Sequence, residues 1–262
     1  MSGTPNVLLF DLETLPNVGY FWGLKIPSKY LSYENIVRER SILCAAWKWL
    51  DVPKIHSVAA SLDLSQRFPD LNVLKRLAGL VEKADMVIAH NGEFFDMPWL
   101  RTRMRMAKLT PLAPVLEMDT RAELKRQRYN FNSLKLDYVA EKLGVGQKID
   151  VDFDLWKECM PDGGNTITNR RAALKEMMRY NRHDVRLLEG VYKELRSGLT
   201  PKLNLALFSE EPSKTCPHCQ REGTLLSHGR RFTRSRVWIR YRCHHPKCGG
   251  WCYRPPGSPI PR

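Results

Sequence analysis

Several things are missing from this chain, and each absence excludes a class. No apolar run approaches the roughly 18–20 residues that a membrane-crossing helix needs, so no membrane partner is expected. The first eleven residues have no basic stretch and reach an acid at Asp11. That does not fit a secretory leader, and a cytoplasmic location is expected. Internal repeats and low-complexity tracts are absent, which excludes solenoids and tail-like polymers. Cysteine is scarce before residue 213, where only Cys44 and Cys159 occur; these two read as buried structural thiols. Acid is scarce after residue 212, where Glu222 stands alone against eleven Lys and Arg.

What remains is a folded-protein composition, 43% hydrophobic and 27% charged over 262 residues. That length suits one ordinary domain and a smaller second one. The net charge of +14 points to a polyanionic partner, most simply nucleic acid. It is unevenly spread: residues 213–262 carry +10 and residues 1–212 only +4. Five cysteines (216, 219, 243, 248 and 252) crowd the basic end. The organisation expected is a body at 1–198, an exposed linker at 199–212 with Pro201, Pro212 and Glu210–Glu211, a small module at 213–254 and a loose Pro-rich tail at 255–262.

In the body, Val7–Asp11, Ile42–Leu50, Lys54–Ala59 and Met86–His90 are short apolar runs that read as strands. Asn72–Glu82, Pro98–Lys108, Ser133–Leu143 and Asn169–Arg196 have helical spacing, with Ser133 as a candidate cap and Gly144 as a stop. Trp22, Trp47 and Trp49 are expected in the core. Strands followed by alternation with helices predict an α/β protein: a mixed β-sheet flanked by helices.

Acids mark the ends of these elements. Asp11 and Glu13 lie two apart at the end of the first run, so strand geometry puts them on one face. Asp96 follows the Met86–His90 run; Tyr180 and Asp184 lie four apart on the long helix and share a face. Taken singly, each acid has an ordinary explanation: a strand end, a cap for a helix starting at Pro98, a solvated helix residue. Taken in order, they match more. Phe10-Asp11-Leu12-Glu13-Thr14 resembles the first motif of the DEDD superfamily of 3′–5′ exonucleases, also called DnaQ-like. Asn91-x3-Phe95-Asp96-x-Pro98-Trp99-Leu100 resembles the second, in the version found in proofreading domains of family B DNA polymerases. Tyr180-x3-Asp184 resembles the third motif of the tyrosine branch, DEDDy. The histidine branch would need His where Arg179 stands; His183 does not fit and reads as a surface residue. Asn132–Ala140 is similar to the helix these proteins carry between motifs two and three. The resemblance covers about residues 5–195 and is nearest to the stand-alone bacterial and phage exonucleases called YprB-like.

The chemistry suits these residue types. Cleaving a phosphodiester builds charge on the attacking and leaving oxygens, and two divalent cations about 4 Å apart can stabilise both. Carboxylates suit the oxygen preference of Mg²⁺ or Mn²⁺. The resemblance implies a ribonuclease-H-like fold and the roles. Asp11 would contact both cations, Glu13 and Asp184 would complete the site for the attacking water, and Asp96 would hold the second cation partly through water. Tyr180 would orient the attacking water, and Thr14 and Asn91 would lie against the terminal nucleotide. Single-stranded DNA is the first expectation, RNA the second; a non-catalytic binding protein is the alternative outside enzymes. Between motifs two and three, Arg101, Arg103, Arg105, Lys108, Arg121, Lys125, Arg126 and Arg128, with Tyr129 and Phe131, form either a track for single-stranded backbone or a solvated helix face.

In the tail, Cys216-x2-Cys219 and Cys243-x4-Cys248 give four thiolates, enough for one closed tetrahedral Zn²⁺. Trp238–Arg242 alternates apolar and basic as a strand does, and Gly223 and Gly229 bracket an earlier strand. The segment resembles a zinc ribbon, similar to the nucleic-acid-binding ribbons at the start of some transposases. The longer second spacing leaves His244, His245 and Cys252 as alternative ligands. Arg230, Arg231, Arg240 and Arg242 are the candidate phosphate contacts.

Overall fold

The computed structural model describes residues 3–21, 32–147, 149–199 and 202–257. Trp22, expected in the core, lies outside these residues. The central element is β1 (Val7–Thr14), almost entirely buried. Antiparallel to it runs β4 (Ile42–Trp49), then β5 (His56–Ala59) beyond that; on its other side run β6 (Met86–Ala89) and β7 (Leu116–Asp119), both parallel. The order β5-β4-β1-β6-β7 is a mixed sheet, as the alternation of elements predicts. A short pair, β2 (Val18–Gly19) with β3 (Ile36–Arg38), stands apart.

β1 is apolar on both faces because helices cover both. Leu8, Phe10 and Leu12 pack with α1 (Leu71–Val81) and α2 (Asp96–Met106) in one core. Val7 and Leu9 pack, on the other face, with α4 (Leu136–Lys142) and the end of α6 (Ile167–Leu195). The two-residue period of a strand therefore turns Asp11 and Glu13 toward the α6 side as well. Two shorter helices, α3 (Thr120–Arg126) and α5 (Asp154–Glu158), complete the body.

α6 has 29 residues and spans about 43 Å at 1.5 Å per residue. Thr166 caps it, its hydroxyl accepting from the Asn169 amide at 3.2 Å. Its buried stripe includes Ala173, Met177, Tyr180, Asp184, Leu188, Val191 and Leu195, at three- and four-residue spacing. Ser133 does not cap α4: that helix starts at Leu136, and the Ser133 hydroxyl accepts from Lys135 N instead. Trp47 is buried, and Trp49 packs against the same core.

Three of the eight basic residues after motif two are paired inside the protein. Arg103 is buried and donates twice to Asp70, from Nε at 2.7 Å and from a terminal nitrogen at 2.8 Å. Arg101 pairs with Glu117, and Arg126 with Glu123 and Glu93. Tyr129 and Phe131 stack on each other at 6.2 Å, and Phe131 packs against the core. Charge pairing and core packing use groups that the sequence pattern offers to a ligand.

A second sheet is built from β8 (Leu225–Phe232), β9 (Val237–Cys243) and β10 (Trp251–Arg254), all antiparallel. Gly229 does not end its strand. It sits in a bulge of β8 between Ser227 and Arg230, at φ 81°, a conformation that favours glycine. The segment expected as an exposed linker is partly buried. Leu199, Leu205 and Ala206 lie inside, because Leu205 N bonds to Pro217 O and Gly3 N to Phe208 O.

The Asp70–Arg103 pair ties α2 to the edge of β4, since Asp70 also accepts from Ile42 N at 3.1 Å. Asp70→Ala strands a buried guanidinium and is expected to cost about 3–5 kcal/mol in urea unfolding. A loss below about 1 kcal/mol would show the pair to be dispensable.

Candidate active site and cysteine cluster

β1 and α6 together make the acidic site. Carboxylate oxygens of Asp11, Glu13 and Asp184 all lie within 4.8 Å of one another. Tyr180 sits one turn before Asp184, almost fully buried, its ring edge-on to Trp156 at 6.1 Å. Burial, then the negative charge of Asp184, Glu13 and Asp11, pushes its hydroxyl far above the ordinary tyrosine value. Raised from an ordinary value near 10, the hydroxyl is protonated at neutral pH.

Asp96 is placed differently from the other three. It lies in the first turn of α2, 1% exposed, and Oδ1 accepts from Leu12 N at 3.0 Å. Its carboxyl thus reaches β1 between Asp11 and Glu13 without joining their 4.8 Å cluster. Burial raises it from 3.8 to about 7, with a smaller contribution from the nearby charge of Asp119. It is not the helix cap that a start at Pro98 suggests, because the helix begins at Asp96 itself.

Three contributors were not legible beforehand. Asn181 is fully buried and donates to Asp11 Oδ2 at 2.6 Å; its only signal is its place beside Tyr180. Asp119 caps α3 and accepts four backbone amides, from Asn91, Glu93, Arg121 and Ala122. It thereby holds the turn that precedes Asp96, where Asn91 takes φ 75°. Arg40 donates to Thr14 Oγ1 at 2.9 Å and lies 4.7 Å from the Trp99 ring, joining motif one to motif two.

Thr14 and Asn91 lie at the rim of this region. Thr14 is mostly buried, and Asn91 Oδ1 accepts from Arg121 at 2.7 Å. His183 faces away from the cluster, its Nε2 2.7 Å from Gln147 O. Cys44, opposite Glu13 in the β1–β4 register, is buried; burial first and then the Glu13 and Asp11 charges hold its thiol well up. Cys159 is likewise buried and pushed up to about 12.

The cysteine cluster lies in the second sheet. Sulfurs of Cys216, Cys219, Cys243 and Cys248 fall within 4.8 Å of one another. Cys216 and Cys248 are 3.9 Å apart, Cys219 and Cys243 3.8 Å. A tetrahedral Zn²⁺ with bonds of about 2.3 Å spaces its sulfurs by about 3.8 Å, so the donor set fits that ion. Bonds from Cys216 and Cys219 pull Cys248 down to about 4, while bonds to Cys219 and Cys248 push Cys216 up. His244, His245 and Cys252 are outside the cluster. Arg240 and Arg242 share one face of β9, whereas Arg230 pairs with Ile239 and belongs to the other.

Asp96, buried outside the acidic cluster, gives the body a pH dependence. Asp96 ionises near 3.8 in the unfolded chain and near 7 in the folded one, so the folded state holds the extra proton between these values. Its stabilising contribution is full below pH 3.8 and is lost as pH rises through 7. In chelator, melting temperature should therefore fall less between pH 4 and 7 for Asp96→Asn than for the wild type. Equal slopes by thermal scan would contradict the burial of an uncharged carboxyl.

Comparison with known proteins bears on the same elements. A sequence-family model of the RNase_H superfamily matches residues 50–196. Two curated proteins named DNA polymerase are similar over part of the chain. The one from Desulfurococcus sp. (strain Tok) is 31% identical over 100 residues, 38% of this chain and 12% of the polymerase. The one from Pyrococcus glycovorans is 31% identical over 97 residues, 37% of this chain and 11% of the polymerase. The chain thus matches only a small part of these relatives' length. Among solved structures, the family B DNA polymerase of the hyperthermophilic archaeon Pyrobaculum calidifontis superposes with a TM-score of 0.53 at 18% identity. That match covers 83% of this chain and 27% of the polymerase, and it shows a shared fold. With more than half of its residues in the family match, and the mixed sheet and flanking helices described above, the chain belongs to the RNase_H superfamily.

Proposed function

We propose that the chain is a two-metal-dependent 3′–5′ exonuclease of the DEDDy branch, YprB-like in kind. Its substrate would be single-stranded DNA ends, and a zinc ribbon at residues 213–254 would bind nucleic acid. The observation that carries this reading is the convergence of Asp11, Glu13 and Asp184, with Tyr180 buried against them. DNA as the substrate is supported by the relatives' name, DNA polymerase, and by the likeness of Asn91–Leu100 to proofreading domains.

Hard oxygen donors this close together suit Mg²⁺ or Mn²⁺. Asp11, Glu13 and Asp184 would hold these ions, with Asp96 completing the set once its proton is displaced. When bound, such ions neutralise the charge that develops on the phosphate oxygens and lower the pKa of a coordinated water. The protein groups supply placement. Asn181 fixes the Asp11 carboxylate through its 2.6 Å bond. The Leu12 amide anchors Asp96. The Tyr180 hydroxyl orients the attacking water. Cys216, Cys219, Cys243 and Cys248 would hold one Zn²⁺, which supplies folding energy that so small a core cannot.

Purified protein with Mn²⁺ and 5′-labelled single-stranded DNA is expected to give a ladder shortening from the 3′ end, and Asp11→Ala to slow it by at least 10³-fold. RNA shortened in preference to DNA would move the substrate to the exoribonuclease reading. No metal-dependent cleavage of either would leave a binding protein with this fold. Metal analysis of chelator-free protein should find about one zinc per chain, and none would remove the ribbon assignment.

A further inference from the structure

The register of the second sheet sorts its side chains by face. Arg231 pairs with Trp238, Arg240 with Tyr253 and Arg242 with Trp251. Directly opposed residues and those two apart along β9 share a face, so these six form one surface. Residues between them, Tyr241 and Cys243, are buried beneath the sheet on the side of the cysteine cluster. The outer surface is open: Trp251 is 41% and Tyr253 42% exposed.

This surface alternates cations with rings. The Arg231 guanidinium lies 4.5 Å from the Tyr253 ring, and those of Arg240 and Arg242 lie 5.8 and 5.7 Å from the Trp251 ring. None of the three arginines has an ion pair among the described residues. Glu222, the one acid in residues 213–262, lies away from it, bridging to Thr215. Phosphate alone would not call for exposed rings; unpaired bases would, because each has a face on which an aromatic can stack.

Position matters as well. The second sheet meets the body at the far end of α6. His218 Nδ1 lies 3.0 Å from Arg196 O, and Gln220 donates to Gly3 O at 3.2 Å. Arg196 is twelve residues beyond Asp184, about 18 Å along the helix. Gly3 precedes β1, whose opposite end carries Asp11 and Glu13. A ribbon gripping nucleic acid beside the carboxylates does not fit this placement.

We infer that the Arg231–Trp238–Arg240–Arg242–Trp251–Tyr253 face binds an unpaired segment of strand by base stacking, at a distance from the carboxylates. The roughly 18 Å from Asp184 to Arg196 along α6 corresponds to about five stacked nucleotides at 3.4 Å each. This rests on the reading above that the ribbon binds nucleic acid, and it adds the face, the single-strandedness and the distance. Arg230, on the other face, takes no part.

The test uses the full zinc-loaded chain carrying Asp11→Ala, with fluorescence anisotropy on a labelled 30-nucleotide oligothymidylate and on a 30-base-pair duplex. Trp251→Ala and Tyr253→Ala should each weaken single-strand binding at least about fivefold, the smallest effect usual for one stacked base. Duplex binding should change less. Trp251→Phe, which keeps a ring, should restore most of the loss. Phe232→Ala removes a 70% exposed ring from the opposite face and should stay within twofold of the parent. Zinc content and melting temperature confirm that each variant is folded. Equal losses on single strand and duplex, or no loss from either ring, would overturn the inference.

Distance is read in the cleaving protein. The ratio of kcat/KM for the 30-mer over a 4-mer should drop at least fivefold in the Trp251→Ala, Tyr253→Ala double variant, and an unchanged ratio would overturn the remote placement. A wild-type protein that cleaves neither substrate would overturn the exonuclease reading, while the anisotropy comparison would still decide the ribbon face.

Discussion

Mutual repulsion among closely held carboxylates is the constraint around which the body is arranged. Oxygens of Asp11, Glu13 and Asp184 within 4.8 Å of one another raise the cost of keeping all three charged, and the frame must hold them there regardless. It does so with β1 and α6, locked together by Val7, Leu9, Leu188 and Val191. The surroundings register the same field. Tyr180 and the Cys44 thiol are both held up by burial and by these charges, while the buried Asn181 amide lends one donor to Asp11. Divalent cations would relieve this repulsion, so one feature ties the packing to the proposed chemistry.

The cysteine cluster meets a related problem with softer donors. Four sulfurs at tetrahedral spacing sit under a sheet with little apolar core of its own. The two clusters are chemically distinct: Asp184 lies past the middle of α6, and the cysteine module meets that helix at its C-terminal end, about 18 Å further along. That arrangement separates a place where a strand end would be cut from a surface where a strand would be held. The basic charge follows it: the surplus concentrates around the cysteine cluster, while in the body Arg103, Arg101 and Arg126 are spent on internal pairs with Asp70, Glu117 and Glu123.

Much of this was readable from the chain alone. The apolar run at Val7 and the spacing of Asp11 with Glu13 suffice to place both acids on one face of a strand, and Tyr180 with Asp184 on one face of a helix, because these periods are local geometry. The paired cysteines were legible for the same reason. β7 and α3 were missed: Leu116–Asp119 is short and half polar, and its strand identity comes from pairing with β6. Asp119 and Asp70 look like ordinary surface acids until the fold buries them against backbone amides and Arg103.

The sequence by itself determined which acids share a strand face, which share a helix face and which cysteines are paired in spacing, since local periodicity is written in neighbouring positions. Only the tertiary structure decided how they relate. It set Asp96 apart from the other three acids, turned Arg103 inward, sorted Arg230 from Arg231, and put the second sheet at the far end of α6. Each of these depends on contacts between segments tens or hundreds of residues apart, where burial and pairing outweigh local preference.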